Sequence, residues 1–311
     1  MTFKLRERHR VQTLIDTGFF NDQGQGLYRG KPRPFVLSNP HLNLWAGIRE
    51  DAIEYFDTHS IPWHQGGDRE PTGHLLSSQV ACVNHLYYLR QRKDLADAVI
   101  RGLGFGLVEA AIVNTGYVEF EVIGKGPYLD ERSWMRGATS TSVDAVMLGV
   151  SESGERTLVL IEWKYTESYG ASNLYISERA RVYDSLIMDP ASPIKIESPE
   201  SLYYEPFYQL MRQALLGWKM VQERDYDATG FIHVHVIPEG NKKLAESVPS
   251  PDLKGDSMSE AWRSVLIEPE RYVGISPGDF LSPAAREKDA SAFLSYLSQR
   301  YGLQYSVAGI T

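Results

Sequence analysis

Residues 158–167 read LVLIEWKYTE, an apolar run that continues directly into Glu162, Trp163 and Lys164. An unbroken run of aliphatic residues is typical of a strand that is buried in a sheet. Because successive side chains of a strand point to opposite faces, Glu162 and Lys164 share one face, and Ile161 and Trp163 share the other. We predict that Trp163 packs under the sheet against a helix. A buried strand that ends on an acid and a base indicates a functional site at its end.

The segments around this strand predict a mixed α/β fold. Three other stretches have strand patterns, YVEFEVIG (117–124), TSVDAVMLGV (141–150) and ATGFIHVHVIPEGN (228–241). The turn-rich SESGE (151–155) predicts a hairpin between the strand at 141–150 and the strand at 158–167. Helical patterns cover 43–59, 74–104 and 205–223, and the chain beyond 241 predicts short helices. This order of elements predicts a mixed central sheet flanked by helices in one α/β domain.

We expect this domain, residues 1–311, to have three parts. Residues 1–73 form an N-terminal helical and loop addition, residues 74–241 form the core, and residues 242–311 form a C-terminal helical segment. The chemistry is expected in the core, because the apolar run that ends at Glu162 lies there.

The composition of the chain narrows the possible function classes. Its 311 residues carry 32 Lys and Arg against 40 Asp and Glu, a formal net charge of −8. This balance argues against a protein that coats nucleic acid without specificity, because phosphate neutralisation needs an excess of cations. No apolar run reaches the roughly 18 residues of a membrane span, the N-terminus lacks a secretory signal, and the single Cys82 cannot form an internal disulfide. We therefore expect a cytoplasmic protein.

Two carboxylates are predicted to meet where the hairpin strands end. Pairing across SESGE brings Asp144 near the end of the strand that carries Glu162. Carboxylate oxygens are the ligands that Mg²⁺ prefers, and the backbone carbonyl of Trp163 could add a third oxygen. A lysine beside such an ion, here Lys164, can stabilise the charge that develops on a phosphoryl oxygen. These residues are the minimum that metal-assisted phosphodiester hydrolysis requires.

The pattern of SVDAVMLG followed by LVLIEWKYTE resembles the PD-(D/E)xK nuclease superfamily, which includes many restriction endonucleases. The resemblance covers roughly residues 117–240 and implies a restriction-endonuclease-like fold. It implies that Asp144 and Glu162 are metal ligands and that Lys164 is the catalytic lysine. Val143 stands where the superfamily name has proline. The resemblance also implies Mg²⁺ or Mn²⁺ as the cofactor and a nucleic acid, DNA by preference, as the partner, and a homodimer is a further expectation.

Other residues are weaker candidates for the site. Glu119 and Glu121 share one face of the predicted strand at 117–124, and of the two Glu121 is the candidate for a further acid. Gln209 resembles the glutamine on a helix of exonuclease-type relatives, where a tyrosine follows four residues on and Gln213 stands here. The alternative for Glu121 is a solvent-facing stripe on an edge strand. We expect His233 and His235 to be structural, because no third ligand follows them at a recognisable spacing.

Several residues near the expected cleft have two interpretations. Gln79 and Asn84 could touch a phosphate, but packing and helix capping are the favoured roles. The basic residues of two loops could contact phosphates or be scattered surface charge, and these are Arg29, Lys31, Arg33, Lys125, Arg132 and Arg136.

Three alternatives remain open at the level of function. Glu162 and Lys164 could be an ordinary ion pair on a surface hairpin, worth at most about 1 kcal/mol. The chain could be a non-catalytic protein of the same fold that binds nucleic acid or another partner. It could also hydrolyse a small phosphate ester, which needs no basic groove. For the metal site we expect that Glu162→Gln leaves stability unchanged or raises it, because clustered carboxylates repel one another.

Overall fold

The structure is a computed structural model that describes residues 1–67, 69–136 and 140–304. The helices are α1 (Phe3–Asp16), α2 (Arg49–Thr58), α3 (Ser78–Gln91), α4 (Lys93–Gly102), α5 (Ser177–Ile187), α6 (Phe207–Gln222), α7 (Lys242–Ala245), α8 (Met258–Arg263), α9 (Pro277–Leu281) and α10 (Ser291–Tyr301). The strands are β1 (Leu27–Tyr28), β2 (Lys31–Pro32), β3 (Leu107–Ala111), β4 (Glu119–Val122), β5 (Val143–Ser151), β6 (Arg156–Trp163), β7 (Ala228–Val236) and β8 (Tyr272–Ile275). Short 3-10 helices cover Pro40–Asn43, Pro199–Leu202, Asp225–Asp227, Pro269–Arg271 and Ser282–Arg286.

The predicted mixed sheet is confirmed as six strands. Strands β5 and β6 pair antiparallel, and β7 and β8 follow in parallel alignment on the far side of β6. The other edge of β5 is shared, because β3 pairs with its second half and β4 with its first half. The small hairpin of β1 and β2 is separate from this sheet. Helices cover both faces, which is compatible with the restriction-endonuclease-like architecture that the resemblance implies.

The hairpin across SESGE forms as predicted. Ala145 of β5 pairs with Ile161 of β6, and Leu148 pairs with Leu158. Gly154 sits in the turn with a φ of +83°, a conformation that glycine adopts without steric cost. The turn therefore fixes the register, and the register determines which residues of the two strands lie side by side at the other end.

The two faces of the sheet pack against different helices. Val159, Ile161 and Trp163 belong to one core, which also contains residues of α2, α3, α4 and α10. Leu158 and Leu160 belong to the other core, with residues of α5, α6 and α8. The prediction for Trp163 is confirmed, since it is 1% exposed and its ring centroid lies 4.6 Å from that of His85 in α3.

Two strands of the six-stranded sheet, β3 and β8, lie where the sequence predicts none, as does the small separate hairpin of β1 and β2. The sequence predicts helices only beyond residue 241, but β8 in that segment extends the sheet beside β7. The sequence also gives no strand between α4 and residue 117, where β3 pairs with β5. Both strands have five residues or fewer, too short for a periodic pattern to appear. None of the helices in the described parts of the chain is long and apolar enough to cross a membrane.

Candidate active site

Three acidic residues lie in one row across neighbouring strands. Phe120 pairs with Ala145 and Val122 with Val143, so Glu121 of β4 stands beside Asp144 of β5. Ala145 pairs with Ile161 of β6, and the next residues at this end of the hairpin, Asp144 and Glu162, are close enough to repel each other electrostatically. This arrangement is what the hairpin prediction requires, and it adds β4 as a third contributor.

Asp144 and Glu121 are each held by neighbouring groups. Asp144 Oδ2 accepts a 2.7 Å hydrogen bond from the backbone N–H of Trp163 on the adjacent strand. Glu121 accepts hydrogen bonds from Gln79 Nε2 at 2.8 Å and from Ser142 Oγ at 3.0 Å. Its backbone has a φ of +48°, which is uncommon for a residue with a side chain. Both carboxylates are therefore fixed in place.

The environment of these two carboxyls disfavours their negative charge. Burial, together with repulsion from Glu162 and Glu121, raises the pKa of Asp144 well above its ordinary value. Burial also raises the pKa of Glu121, although hydrogen bonds from Gln79 and Ser142 act in the opposite direction. Acids that are buried close together repel one another unless a cation or a proton offsets them. The row is therefore electrostatically suited to a cation.

Glu162 and Lys164 form a buried ion pair on the α6 side of the sheet. Lys164 Nζ lies 2.5 Å from Glu162 Oε1, and the two residues are 5% and 1% exposed. Lys164 Nζ also donates a 2.5 Å hydrogen bond to Gln209 Oε1 and lies 5.6 Å from the ring centroid of Tyr169. Burial lowers the pKa of Lys164, but attraction to Glu162 outweighs it and raises that pKa well above the ordinary value. The contact with Glu162 therefore favours the protonated form of Lys164.

Helix α6 supplies the amide groups that contact this pair. Gln209 contacts Lys164, as the sequence suggests. Gln213, one turn later, donates from Nε2 to Glu162 Oε2 and to the backbone carbonyl of Ser142. Sequence reasoning notes that Gln213 replaces a tyrosine but does not assign it to the site. Gln209 and Gln213 are four residues apart and share one helix face, and this spacing in the sequence could have identified Gln213 as a second site residue.

The carboxylate oxygens of Asp144, Glu162 and Glu121 are of the type that a hard divalent cation prefers, but both oxygens of Glu162 already have contacts within the protein. Within residues 1–67, 69–136 and 140–304, His, Cys, Asp and Glu side chains form no group of three or more arranged to hold a metal ion. Glu162 Oε1 contacts Lys164 and Oε2 contacts Gln213. Carboxylate oxygens are nevertheless the ligands that Mg²⁺ prefers. A carboxylate oxygen has two lone pairs, so an ion at Glu162 would share these oxygens with Lys164 and Gln213.

Several other candidates have structural roles in the described chain. Asn84 is fully buried and donates to Asn43 O and Tyr301 Oη, in agreement with the favoured packing role. Glu119 accepts a 2.6 Å hydrogen bond from Tyr55 and pairs with Arg90 at 3.3 Å. These contacts hold the elements together and do not line the acidic row.

Two of the basic loop residues already have partners within the protein. Arg136 donates to the backbone carbonyls of Glu121 and His59 at 2.9 and 3.0 Å. Lys125 Nζ lies 4.1 Å from the ring centroid of Tyr226. The contact of Arg136 with Glu121 O holds this arginine beside the acidic row.

Comparison with known families gives one match. A family model described as "Restriction Endonuclease associating with ARP" matches residues 4–302. This range includes the N-terminal and C-terminal parts of the chain as well as the segment that carries the acidic row. No curated protein and no solved structure is significantly similar to the chain.

Proposed function

Because this chain belongs to the family of restriction endonucleases associating with ARP, within the restriction-endonuclease-like PD-(D/E)xK superfamily, we propose that it is a metal-dependent nuclease whose catalytic residues are Asp144, Glu162 and Lys164. The proposed substrate is the phosphodiester backbone of DNA. Membership of the family suggests a nuclease and implies nucleic-acid binding, and the residue roles, the ion and the choice of DNA are parts of the proposal.

One observation carries this proposal. Asp144 and Glu162 stand side by side at the open end of the hairpin, and the ammonium of Lys164 lies 2.5 Å from Glu162. A surface ion pair would be exposed and worth little, whereas this pair is almost completely buried beside a second acid. Burying these charges costs free energy of solvation, which the attraction between them only partly offsets. Their presence at a buried position is therefore more consistent with a functional site than with an incidental surface pair.

The proposed roles follow from the position of each side chain. Asp144, Glu162 and the backbone carbonyl of Trp163 would hold Mg²⁺ or Mn²⁺, which when bound supplies positive charge to a phosphoryl oxygen and lowers the pKa of water. Lys164 Nζ would stabilise the negative charge that develops on the phosphoryl oxygens. Gln209, which accepts from Lys164, is a positioning residue for the ammonium.

Glu121 supports the two ligands as a third carboxyl of the row. Its hydrogen bonds from Gln79 and Ser142 fix its orientation, and burial raises its pKa. A carboxyl of raised pKa can exchange a proton closer to neutral pH than an ordinary glutamate. We propose that Glu121 shapes the charge of the site next to Asp144.

A second candidate is a non-catalytic nucleic-acid-binding or partner-binding protein of the same fold. The compact contact between Glu162 and Lys164, with both oxygens of Glu162 engaged, is the observation that favours it. In such a protein the pair would be purely structural, and a divalent ion would leave its activity unchanged.

Cleavage assays distinguish these candidates. Supercoiled plasmid, linear duplex DNA, single-stranded DNA and RNA are incubated with the protein in Mg²⁺, in Mn²⁺ and in a chelator. We expect cleavage of at least one DNA substrate with either ion and none with the chelator. Lys164→Met should lower the rate by about 100-fold or more, the order seen when a comparable electrostatic contact is removed.

Lys219→Met is the matched control for that variant. Lys219 lies on α6, where its ammonium contacts Gln222 and the ring of Trp218 at the surface. The same chemical change there should leave cleavage within about twofold of the parent, as expected of a surface substitution. If the parent cleaves none of the four substrates with either ion, or if both variants cleave equally, the proposal is wrong.

A further inference from the structure

The first 35 residues of the chain carry a net positive charge. They contain seven Lys and Arg against three Asp and Glu, whereas the whole chain has a formal net charge of −8. Five of these cations lie on α1, on the hairpin of β1 and β2, or directly after that hairpin, and four of the five are exposed while Arg8 is half-buried. We call these five residues the basic N-terminal surface: Lys4, Arg8, Arg29, Lys31 and Arg33.

A row of ring contacts joins the helix to the hairpin. The guanidinium carbon of Arg8 lies 4.7 Å from the ring centroid of Phe35, and the rings of Phe35 and His74 have centroids 5.3 Å apart. The His74 ring lies 4.6 Å from that of Tyr28, and the guanidinium carbon of Arg29 lies 5.3 Å from the Tyr28 ring. The cations of α1 and of the hairpin are therefore parts of one continuous surface.

The charges of this surface are not neutralised within the protein. None of the five cations forms an ion pair with a carboxylate in residues 1–67, 69–136 and 140–304. Arg10 of the same helix, in contrast, pairs with Glu7 at 2.6 Å. Burial and repulsion from Lys4 and Arg8 lower the pKa of His74 to about 4, in keeping with uncompensated positive charge nearby. The surface is therefore suited to an anion from outside the chain.

The basic N-terminal surface borders the elements that carry the acidic row. His74 lies four residues before α3, and Gln79 of α3 donates to Glu121 of the row. Glu7 of α1 accepts a 2.8 Å hydrogen bond from Tyr165, which is two residues beyond the end of β6. Both connections lead to the same end of the sheet as the acidic row.

We propose that the basic N-terminal surface binds the phosphate backbone of duplex DNA beside the acidic row. The choice of DNA rests on the proposed function. The acidic row and the net charge of the chain repel phosphates, so cations close to the row are needed to hold a backbone there. Contacts of this kind position a protein on a duplex and read no sequence.

An anionic membrane is another polyanion that exposed Lys and Arg attract. A helix that lies in a membrane interface needs its apolar face free to enter the lipid. The apolar side of α1, with Val11 and Ile15, is instead buried in the core of the protein. The contacts of α1 therefore favour DNA, and vesicles serve as the alternative ligand in the test.

Fluorescence anisotropy of a short labelled DNA duplex measures the binding, with the full chain in a chelator so that no metal-dependent cleavage occurs. Arg29→Asn removes one charge at a position whose φ is +52°, a conformation that asparagine adopts readily. We expect the affinity to fall about 5- to 10-fold at about 0.1 M salt, because one phosphate contact is lost. The slope of log affinity against log salt concentration should decrease in magnitude by about 1.

Arg224→Asn is the matched control. Arg224 is also an exposed arginine with a positive φ, +57°, but it lies between α6 and β7, at the opposite end of the sheet from the acidic row. We expect its affinity for the duplex to stay within about twofold of the parent, and both variants to unfold within about 2 °C of it, as surface substitutions do. Equal losses of affinity in the two variants, or no loss in a folded Arg29→Asn variant, overturn the inference.

The outcome of this test is distinguishable from that of the nuclease assay. A parent that binds the duplex through Arg29 in chelator but cleaves nothing in Mg²⁺ or Mn²⁺ supports the surface and contradicts the proposed nuclease. A parent that cleaves DNA while Arg29→Asn binds as tightly as the parent contradicts the surface alone. Absence of duplex binding by the parent at low salt, or tighter binding to vesicles of phosphatidylserine and phosphatidylcholine than to the duplex, also overturns the inference.

Discussion

At the scale of single residues, the burial of the Glu162–Lys164 ion pair changes the effect on stability that we expect from substituting Glu162. The sequence places both side chains on one face but does not show that both are buried. The ammonium of Lys164 relies on Glu162 and Gln209 for its contacts in the described structure. The sequence-based expectation is that Glu162→Gln leaves stability unchanged or raises it, whereas the buried ion pair favours the opposite prediction.

We predict that Glu162→Gln lowers the free energy of unfolding by about 3–5 kcal/mol, because it leaves a buried ammonium without its counter-charge. Urea denaturation in the presence of a chelator measures this change. The double variant Glu162→Gln with Lys164→Met should recover most of the loss, because it removes both charges together. A single variant as stable as the parent would show that the pair is not buried as described.

Substitution of Asp144 should change the free energy of unfolding in the opposite direction to Glu162→Gln. Burial and neighbouring acids raise its pKa, so the folded chain binds this proton more tightly than the unfolded chain, whose aspartates have a pKa of about 3.9. The contribution of Asp144 to stability therefore falls as pH rises from about 4 through the folded pKa, and is least favourable above it. We predict that Asp144→Asn raises the free energy of unfolding at neutral pH by about 0.5–2 kcal/mol, and that this gain shrinks in acid.

Asp22→Asn is the control of opposite sign. Burial raises the pKa of Asp22, but hydrogen bonds from Asn39, Gly24 and Ser38 outweigh this and lower it. Asp22 therefore stabilises the fold above the unfolded pKa, and its replacement by Asn should destabilise at neutral pH. Thermal unfolding at several pH values compares the two variants. A loss of stability in Asp144→Asn at neutral pH would contradict the assigned electrostatics.

At the scale of elements, the hairpin of β5 and β6 was predictable and the orientation of α6 was not. The apolar run, the turn SESGE and the strand alternation are enough to locate Asp144, Glu162 and Lys164 at one end of a hairpin. The rotation of α6 about its axis depends on packing against the sheet. The sequence could therefore suggest Gln209 but did not show that Gln213 contacts Glu162.

The same reasoning explains the histidines of β7. Both share a face of that strand and were expected to be structural, and both are buried. The contact of His235 Nδ1 with Tyr272 Oη at 3.0 Å depends on β8, which the sequence does not predict. The link from His233 to Gln213 likewise joins elements 20 residues apart in the chain. Local patterns in a sequence cannot supply such contacts.

We predict that Gln213→Ala lowers the rate of cleavage by about tenfold or more, because Glu162 loses the donor that orients it. The loss should appear in kcat more than in KM, since Gln213 acts on the site through Glu162 and is not expected to touch the substrate. Gln222→Ala, on the exposed end of the same helix, is the matched control and should leave both constants unchanged. Equal kinetics for the two variants would exclude a positioning role for Gln213.

At the scale of the whole molecule, the first helix, α1, contacts the last helix of the described chain, α10. Arg300 of α10 is fully buried and donates to Leu75 O at 2.7 Å, and its own carbonyl accepts from Arg10 of α1 at 2.5 Å. Arg10 also contacts Tyr165, the residue after Lys164 and two residues beyond the end of β6. The terminal parts are therefore built into the structure around the site, in keeping with a family match that extends over residues 4–302.

We predict that a chain truncated after residue 241 does not fold, because it lacks β8, which pairs with β7, and the contacts of α10 with the N-terminal half. Removing a strand and a packed helix exposes apolar surface worth far more than the 5–15 kcal/mol that stabilises an ordinary domain. Circular dichroism and limited proteolysis measure the outcome. A truncated chain with a cooperative thermal transition would show instead that residues 1–241 fold without the C-terminal segment.

The central claim is that the acidic row holds a divalent cation, and calorimetric titration of Mn²⁺ into the metal-free protein tests it most directly. We predict one saturable site in the parent, at least about tenfold weaker in Asp144→Asn because a ligand charge is lost. In Lys164→Met the site should persist or tighten, because Glu162 is released from the ammonium that engages Oε1. Absence of Mn²⁺ binding by the parent, with and without DNA, or equal binding by Asp144→Asn, would contradict the claim.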